Sequence, residues 1–206
     1  MAGKYQTFGD FWNYNKLKIF AVVISVALIA LAVSQCSLGK TLDLGVVHVS
    51  QKTDVDGEKF LECIKKDVEL KKIGEELVLE FTPIYMPDDF SAAAELGSIE
   101  KAQIEITTGD SSLFILDGET VYSFKNDDIF YDLTKIADKY NISQEERYLS
   151  DDGKVMAISV DGNKYLEECS IFCDNLYIAI QNHLESKSEK YSNAFAALEY
   201  ILNKGR

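Results

Sequence analysis

The sequence predicts an α/β domain with a mostly parallel sheet of about five strands flanked by helices, preceded by one transmembrane helix. Three observations support this prediction. The N-terminal part contains a long apolar run, whereas the remainder is acidic and of mixed polarity. In that remainder, short apolar runs rich in β-branched residues alternate with segments whose apolar residues recur at helical spacing. Such alternation is typical of βαβ units.

The apolar run occupies residues 17–36, in which Lys18 is the only charged residue. A helix of about 20 residues spans the roughly 30 Å hydrocarbon layer of a bilayer. Lysines within residues 1–16 precede the run, and the positive-inside rule places this tail in the cytoplasm. Residues 37–206 are then an extracytoplasmic α/β domain. The predicted location is therefore the cell membrane, single-pass, with an extracellular C-terminal domain.

Two alternatives for the N-terminal segment stay open. Ala32, Val33 and Ser34 form a small-residue motif that suits cleavage of a signal peptide. Cys36 is a candidate for lipidation, although Gln35 stands where a lipoprotein signal has a small residue. The tail before the apolar run is long and rich in aromatic residues, which favours an uncleaved anchor.

Charge restricts the partners of the domain. The chain has a net charge of −13, and its first 36 residues carry three lysines and one aspartate, which leaves −15 for residues 37–206. An acidic surface repels phosphate backbones, so no nucleic-acid partner is expected. The bilayer is a predicted partner through residues 17–36 alone.

The domain is predicted to open with a strand over residues 42–49, LDLGVVHV, because an apolar run rich in β-branched residues suits a strand buried on both faces. An amphipathic helix follows, with Phe60, Leu61, Ile64 and Val68 on its apolar side. A second strand is predicted over residues 77–81, and Pro83 and Pro87 are expected to end it.

The next helix is predicted from Asp88 or Asp89, which are good N-cap residues, to Thr108, with an interruption at Gly97. The most strand-like stretch of the chain, residues 112–116, follows this helix. A turn at Asp117-Gly118 is expected to close that strand.

Two short helices are then predicted, around residues 119–125 and 133–140. Further strands are predicted over residues 155–160 and 175–181. The chain ends in an amphipathic helix with one apolar face, formed by Tyr191, Ala194, Phe195, Leu198, Ile201 and Leu202.

No catalytic or metal-binding pattern is found in the sequence. It contains no nucleophile elbow, zinc-protease helix or phosphate-binding loop. His48 falls within the first strand, where a satisfied buried histidine is expected, and His183 lies far from it in a polar stretch. The domain cysteines, Cys63, Cys169 and Cys173, are expected to be small buried thiols. The domain is therefore predicted to have no enzymatic activity, no metal and no cofactor.

Three segments resemble known families. Residues 11–16, FWNYNK, are similar to the segment that leads into the span of membrane-anchored extracytoplasmic proteins of clostridia-type bacteria. Residues 102–116, AQIEITTGDSSLFIL, resemble the helix, Gly-Asp turn and strand of extracellular solute-binding proteins, the receptors of ABC importers. Asp132-Leu133-Thr134 matches a downstream element of the same proteins. The resemblance implies a membrane-tethered, non-catalytic domain that binds a solute.

The chain departs from that family in size. A solute-binding protein closes two α/β lobes around its ligand, whereas only about 40 residues separate Leu116 from Val155, where the second lobe should be inserted. We therefore expect a relative truncated to one lobe.

A candidate ligand site is predicted at the carboxyl ends of the strands, where open parallel sheets bind ligands. The residues expected there are Ser50, Gln51, Tyr85, Asp117, Glu119 and Asp161. Their carboxylates favour a small neutral or cationic solute over an anion. Two other interpretations stay open. These can be ordinary turn residues, and the domain can be a structural or regulatory ectodomain that contacts a membrane protein complex and binds no small molecule.

Overall fold

The computed structural model describes residues 42–51, 55–86, 93–125, 128–172, 174–182 and 189–205, which contain six strands, six α-helices and one short 3-10 helix (Gln144–Glu146). The strands are β1 (Leu44–Ser50), β2 (Leu79–Tyr85), β3 (Leu113–Asp117), β4 (Arg147–Leu149), β5 (Val155–Ser159) and β6 (Leu176–Ile180). The helices are α1 (Gly57–Asp67), α2 (Ala93–Thr108), α3 (Gly118–Ser123), α4 (Thr134–Lys139), α5 (Lys164–Glu168) and α6 (Glu189–Lys204).

The strands form one six-stranded sheet in the order β2-β1-β3-β6-β5-β4. β1 runs parallel to both of its neighbours, β2 and β3. β6 runs antiparallel to β3 and β5, and β4 runs antiparallel to β5. The prediction of an α/β sheet flanked by helices is confirmed. The prediction of a mostly parallel sheet is wrong, because the sheet is mixed, and it has six strands instead of five.

The antiparallel half of the sheet has a physical cause in its connections. A parallel pair needs a crossover long enough to return the chain to the opposite edge of the sheet. The connection from β5 to β6 contains only the five-residue helix α5, so β6 starts at the edge where β5 ends. β4 and β5 are joined by a tight turn in which the amide of Ser150 donates to the Lys154 carbonyl at 2.9 Å.

Helices cover both faces of the sheet. On one face, α1, α4, α5 and α6 bury apolar side chains against Val46 and Ile115. On the other face, α2 and α3 pack against Val47 and Phe114. Successive residues of β1 and β3 therefore point into two separate cores, which explains why these strands are apolar at nearly every position.

Side-chain caps set the starts of three helices. Asp56 accepts a hydrogen bond from the Lys59 amide at 3.0 Å at the start of α1. Asp117 accepts from the Thr120 amide at 2.7 Å at the start of α3. In α5 the same role belongs to Asn163, which accepts from Leu166. Each bond satisfies an amide that has no partner within its own helix.

Two predictions, one about β2 and one about α2, are wrong. β2 continues through Pro83 to Tyr85 instead of ending before the proline. β2 is an edge strand, and proline is tolerated there because the missing N–H is not needed by a neighbour on the open side. α2 is continuous across Gly97 instead of being interrupted.

The predicted tail, residues 1–16, and the predicted span, residues 17–36, lie outside the described residues, as do Cys36, Cys173 and His183. In the part of the chain that is described, no helix is long and apolar enough to cross a membrane.

Candidate functional site

The carboxyl ends of β1 and β3 form a topological switch point. After β1 the chain continues into α1 on one face of the sheet, whereas after β3 it continues into α3 on the opposite face. Two adjacent parallel strands whose connections leave to opposite faces have a crevice between their carboxyl ends. The crevice is therefore a consequence of strand order and does not depend on any one loop.

A cleft of about 330 Å³ occupies this crevice. It is lined by Ser50, Gln51, Asp117, Glu119, Phe172, Asp174, Asn175 and Leu176. The structure thus brings together four of the six residues predicted as a ligand site from sequence. Pockets for small molecules have volumes of roughly 300 to 1,000 Å³, so this cleft suits a ligand at the small end of that range.

Tyr85 and Asp161 lie outside this lining. Tyr85 pairs in register with Ser50 at the end of β2, and its side chain is 46% exposed beside the cleft. Asp161 has a structural role instead, because its carboxylate accepts a hydrogen bond from the Leu176 amide at 2.9 Å. That bond fixes the first residue of β6, which forms one side of the cleft.

The two acidic residues contributed by the β3 end differ in their surroundings. Asp117 caps α3 through its bond to Thr120, which fixes the orientation of its carboxylate. Glu119 lies in the first turn of the same helix and lines the cleft from there. The amide of Gly118, between them, donates to the Asn175 carbonyl at 3.1 Å. A Cβ atom at Gly118 would lie 3.0 Å from the Asn175 carboxamide, so the β5–β6 loop packs closely on α3.

Sequence reasoning missed the half of the cleft that comes from the β5–β6 loop. Phe172 is 52% exposed, and Asn175 adopts a left-handed backbone with φ of 55°, which asparagine tolerates better than most residues. An antiparallel β6 begins at the edge where β1 and β3 end, which brings this loop to the cleft. A β6 parallel to its neighbours, as in a mostly parallel sheet, would have placed this loop at the other edge.

A second groove, of about 530 Å³, adjoins the cleft and shares Glu119 and Asn175 with it. Its aromatic wall is formed by Tyr122, Tyr148 and Tyr177. The rings of Tyr148 and Tyr177 meet edge to face, with centroids 5.3 Å apart. Burial raises the pKa of both phenols, so they stay protonated and can donate hydrogen bonds at neutral pH. The cleft and the groove together form a continuous surface on which carboxylates lie beside aromatic rings.

His48 lies in β1 below the cleft and is buried, as predicted, but it is not satisfied. Its Nε2 has no hydrogen-bond partner among the described residues, and its ring stacks on Phe81 with centroids 6.0 Å apart. Burial lowers the pKa of His48 to about 4, so the ring is neutral at neutral pH. Because His48 is buried and does not line the cleft, we assign it no part in proton transfer there.

The opposite edge of the sheet carries another acidic cleft, of about 260 Å³, between the β4–β5 turn and the segment before α4. Two of the four carboxylates that line it are paired with lysines, since Lys125 lies 3.1 Å from Asp151 and Lys154 lies 2.6 Å from Asp152. The hydrogen bond from Lys154, supported by one from Ser150, lowers the pKa of Asp152 to about 2. No group of three or more metal-ligating side chains is arranged to hold an ion among the residues that the structure describes.

Comparison of the chain with protein-family models, with curated proteins and with solved structures found no match.

Proposed function

We propose that the domain is a non-catalytic binding module that takes a small neutral or cationic solute in the cleft between the ends of β1 and β3. The observation that carries the proposal is the meeting of Gln51, Asp117 and Glu119 at a topological switch point. Ligands of open α/β sheets bind at such points because loops there present polar groups around a crevice. A fold of this kind does not by itself indicate a function, so the proposal rests on the residues of the cleft.

The chemistry of the lining defines the solute class. Carboxylate and amide oxygens from Asp117, Glu119 and Asn175 accept hydrogen bonds from ammonium or hydroxyl groups. The tyrosines of the adjoining groove offer ring faces that attract a cation or stack on an apolar part of a ligand. An anion would be repelled by the carboxylates of Asp117 and Glu119. A primary amine, an amino acid or a small sugar fits both the volume and the polarity.

Tethering is the second part of the proposal. We infer that residues 17–36 anchor the chain in the cell membrane and that the domain lies outside the cell. The acidic domain and the lysines before the apolar run support this orientation. The location also agrees with the resemblance to solute-binding receptors, which capture their ligands outside the membrane.

A thermal-shift screen of the full chain in detergent tests the binding proposal. Diamines, amino acids, monosaccharides and dicarboxylates would be compared at matched concentration. A ligand present at a hundred times its Kd stabilises the folded state by about 2.7 kcal/mol, which raises the Tm of a domain of this size by roughly 5 to 10 °C. Amines or sugars should raise the Tm and dicarboxylates should not. Shifts of zero throughout, or a shift with dicarboxylates alone, contradict the proposal.

Labelling of intact cells tests the orientation. In a chain whose native cysteines are replaced by serine, a membrane-impermeant maleimide should label a Glu75→Cys variant and leave a Lys4→Cys variant unlabelled. Glu75 is exposed in the domain, so the label can reach it when the domain is outside. The reverse labelling pattern would place the domain in the cytoplasm.

A second candidate function is a structural or regulatory ectodomain that contacts a membrane protein complex. The observation that favours it is the ring of exposed aromatic side chains around the cleft, in which Tyr122 is 61% exposed. Aromatic residues are enriched at protein interfaces and supply many of their energetic anchors. In a chain whose Tm no solute of the screen changes, substitution of Tyr122 by serine would then weaken association with the partner complex, whereas a solute receptor without such a partner predicts no change in any complex.

A further inference from the structure

Two free cysteines lie on different elements of the domain and on the same side of the sheet. Cys63 lies in α1, and Cys169 is the C-cap residue of α5. They are about 100 residues apart in sequence. Cys169 belongs to the buried core between these helices, and Cys63 is partly exposed and packs against that core.

The contacts of α1 bring the two thiols together. The first turn of α1 is attached to the residue after Cys169, because the amide of Asp56 donates to the Ser170 carbonyl at 3.4 Å. The ammonium group of Lys59 also donates to the Ser170 hydroxyl at 2.9 Å. Cys63 follows Lys59 by four residues, which is one helical turn along the same face of α1. The Cys63 side chain accordingly packs against the part of the core that contains Cys169, and the two thiols are close enough to interact.

We propose that Cys63 and Cys169 form a disulfide that links α1 covalently to α5. Disulfides persist in oxidising compartments, and an extracytoplasmic domain would occupy one. The bond would close a loop of about 100 residues, for which the chain-entropy model predicts a large stabilisation. The inference is independent of the proposed solute cleft, since neither cysteine lines it.

The oxidation proceeds by thiol–disulfide exchange with an external disulfide, such as oxidised glutathione or an oxidised thioredoxin-like protein. The Cys63 thiolate attacks one sulfur of that disulfide, forms a mixed disulfide and releases one reduced thiol. The Cys169 thiolate then attacks the Cys63 sulfur, which forms the internal bond and releases the second reduced thiol. The protein loses two protons and two electrons, and the external disulfide gains them.

Exposure sets the order of the two steps. Cys63 is accessible enough to meet an external disulfide, whereas Cys169 is 1% exposed and is not. Burial and the contact with Cys63 raise the pKa of Cys169 to about 12. Little thiolate exists at Cys169 at neutral pH, so the closing step should be slow there and should become faster as the pH rises.

A full-length chain with Cys36 and Cys173 both replaced by serine isolates this pair. The folded, detergent-purified protein would be incubated with oxidised glutathione at pH 8.5, and free thiols would be counted after denaturation in the presence of a blocking reagent. We expect the thiol count to fall from two to zero without dimer formation, the mass to fall by about 2 Da, and the Tm to rise by roughly 5 to 10 °C. Dithiothreitol should reverse all three changes.

Two further samples keep the proposal falsifiable. Adding Cys63→Ser to that chain leaves only the buried Cys169, which should stay unmodified, whereas adding Cys169→Ala leaves Cys63, which should stop at the mixed disulfide with glutathione. In the wild-type chain, chymotryptic cleavage after Phe172 separates Cys169 from Cys173, so the peptides would show which cysteine is linked to Cys63. Two thiols that persist in the folded isolated pair, or a wild-type link between Cys63 and Cys173, would overturn the proposal.

Discussion

The side chain of Asn193 in α6 joins two segments that are distant in sequence, through Asp43 and Lys71. Its Nδ2 donates to the Asp43 carbonyl at 3.0 Å and to the Lys71 carbonyl at 2.8 Å, and its Oδ1 accepts from the Lys71 amide at 2.7 Å. The carboxylate of Asp43 accepts in turn from the amides of Ile73 and Val78. Asp43 and Asn193 are both almost fully buried. This network holds the α1–β2 connection against the C-terminal helix.

Substitution of Asn193 by alanine should therefore destabilise the domain strongly. It removes three hydrogen bonds, one to the buried carbonyl of Asp43 and two to partly buried main-chain groups of Lys71, which costs roughly 2 to 4 kcal/mol. Urea unfolding followed by circular dichroism measures the loss. Asn203→Ala, on an exposed position of the same helix, is the matched control and should change the free energy of unfolding by no more than about 0.5 kcal/mol. Equal effects of the two substitutions would show that the network contributes little.

Gly57 is required by the ring of Phe81. A Cβ atom at the first residue of α1 would lie 2.2 Å from Cδ1 and 2.8 Å from Cγ of that ring, which is far inside van der Waals contact. Gly57→Ala should therefore force the helix start or the ring to move and should lower the free energy of unfolding by about 1 to 3 kcal/mol. Gly74→Ala is the control, because nothing lies within 4 Å of a Cβ atom there. Thermal and urea unfolding of the two variants side by side checks the difference.

The buried ring of His48 makes stability depend on pH. Its pKa is about 4 in the folded state and near 6.5 in the unfolded chain, so the unfolded state binds the proton more tightly. The part of the free energy of unfolding that depends on a neutral His48 is fully present above pH 6.5. It is lost progressively as the pH falls from 6.5 to 4, and the total loss is about 3 kcal/mol.

His48→Leu removes this titration and also removes an Nε2 that has no hydrogen-bond partner in the part of the chain that the structure describes. Between pH 6.5 and 4 the variant should lose about 3 kcal/mol less free energy of unfolding than the wild type, because the carboxylates titrate equally in both. Urea midpoints at half-unit pH intervals provide the comparison. If the free energy of unfolding depended on pH in the same way in both proteins, the pKa of His48 in the folded state would not be lowered.

The main helices and strands could be predicted from the sequence, but the direction of every strand could not. The apolar runs around Val47, Phe114 and Ile158 identify central strands because both faces of each are buried. Strand direction depends on how far the connecting segment travels, and nothing in the pattern before Leu176 shows that α5 is too short to cross the sheet. β4 was missed for a similar reason, since its three residues are too few to show a period.

The candidate site was likewise predictable only in part from the sequence. Gln51 and Asp117 could be predicted at the same edge because each follows the carboxyl end of a strand that was expected to be parallel. Phe172 and Asn175 could not, because their place beside those residues depends on the antiparallel course of β6. The edge position of β2, which lets Pro83 lie within a strand, is likewise a property of the whole sheet and not of the local sequence.

Removal of the two cleft carboxylates should weaken the binding of a cationic ligand selectively. The change is Asp117→Ser with Glu119→Gln, in which serine keeps an N-cap oxygen for the Thr120 amide and thus preserves the start of α3. Each carboxylate near a bound ammonium group contributes on the order of 1 kcal/mol at a partly exposed site, so the Kd for an amine found in the screen should rise by roughly tenfold to a hundredfold. Affinity of the wild type should also fall with added salt, and the salt dependence should be smaller in the variant. Calorimetric titration at low and high ionic strength measures both effects.

Glu75→Gln with Glu76→Gln is the matched control. It removes the same charge from exposed positions before β2, at the opposite edge of the sheet, and should change the Kd by less than about twofold. Equal losses in the two variants would mean that net charge alone governs binding, and an unchanged Kd in the cleft variant would place the ligand elsewhere.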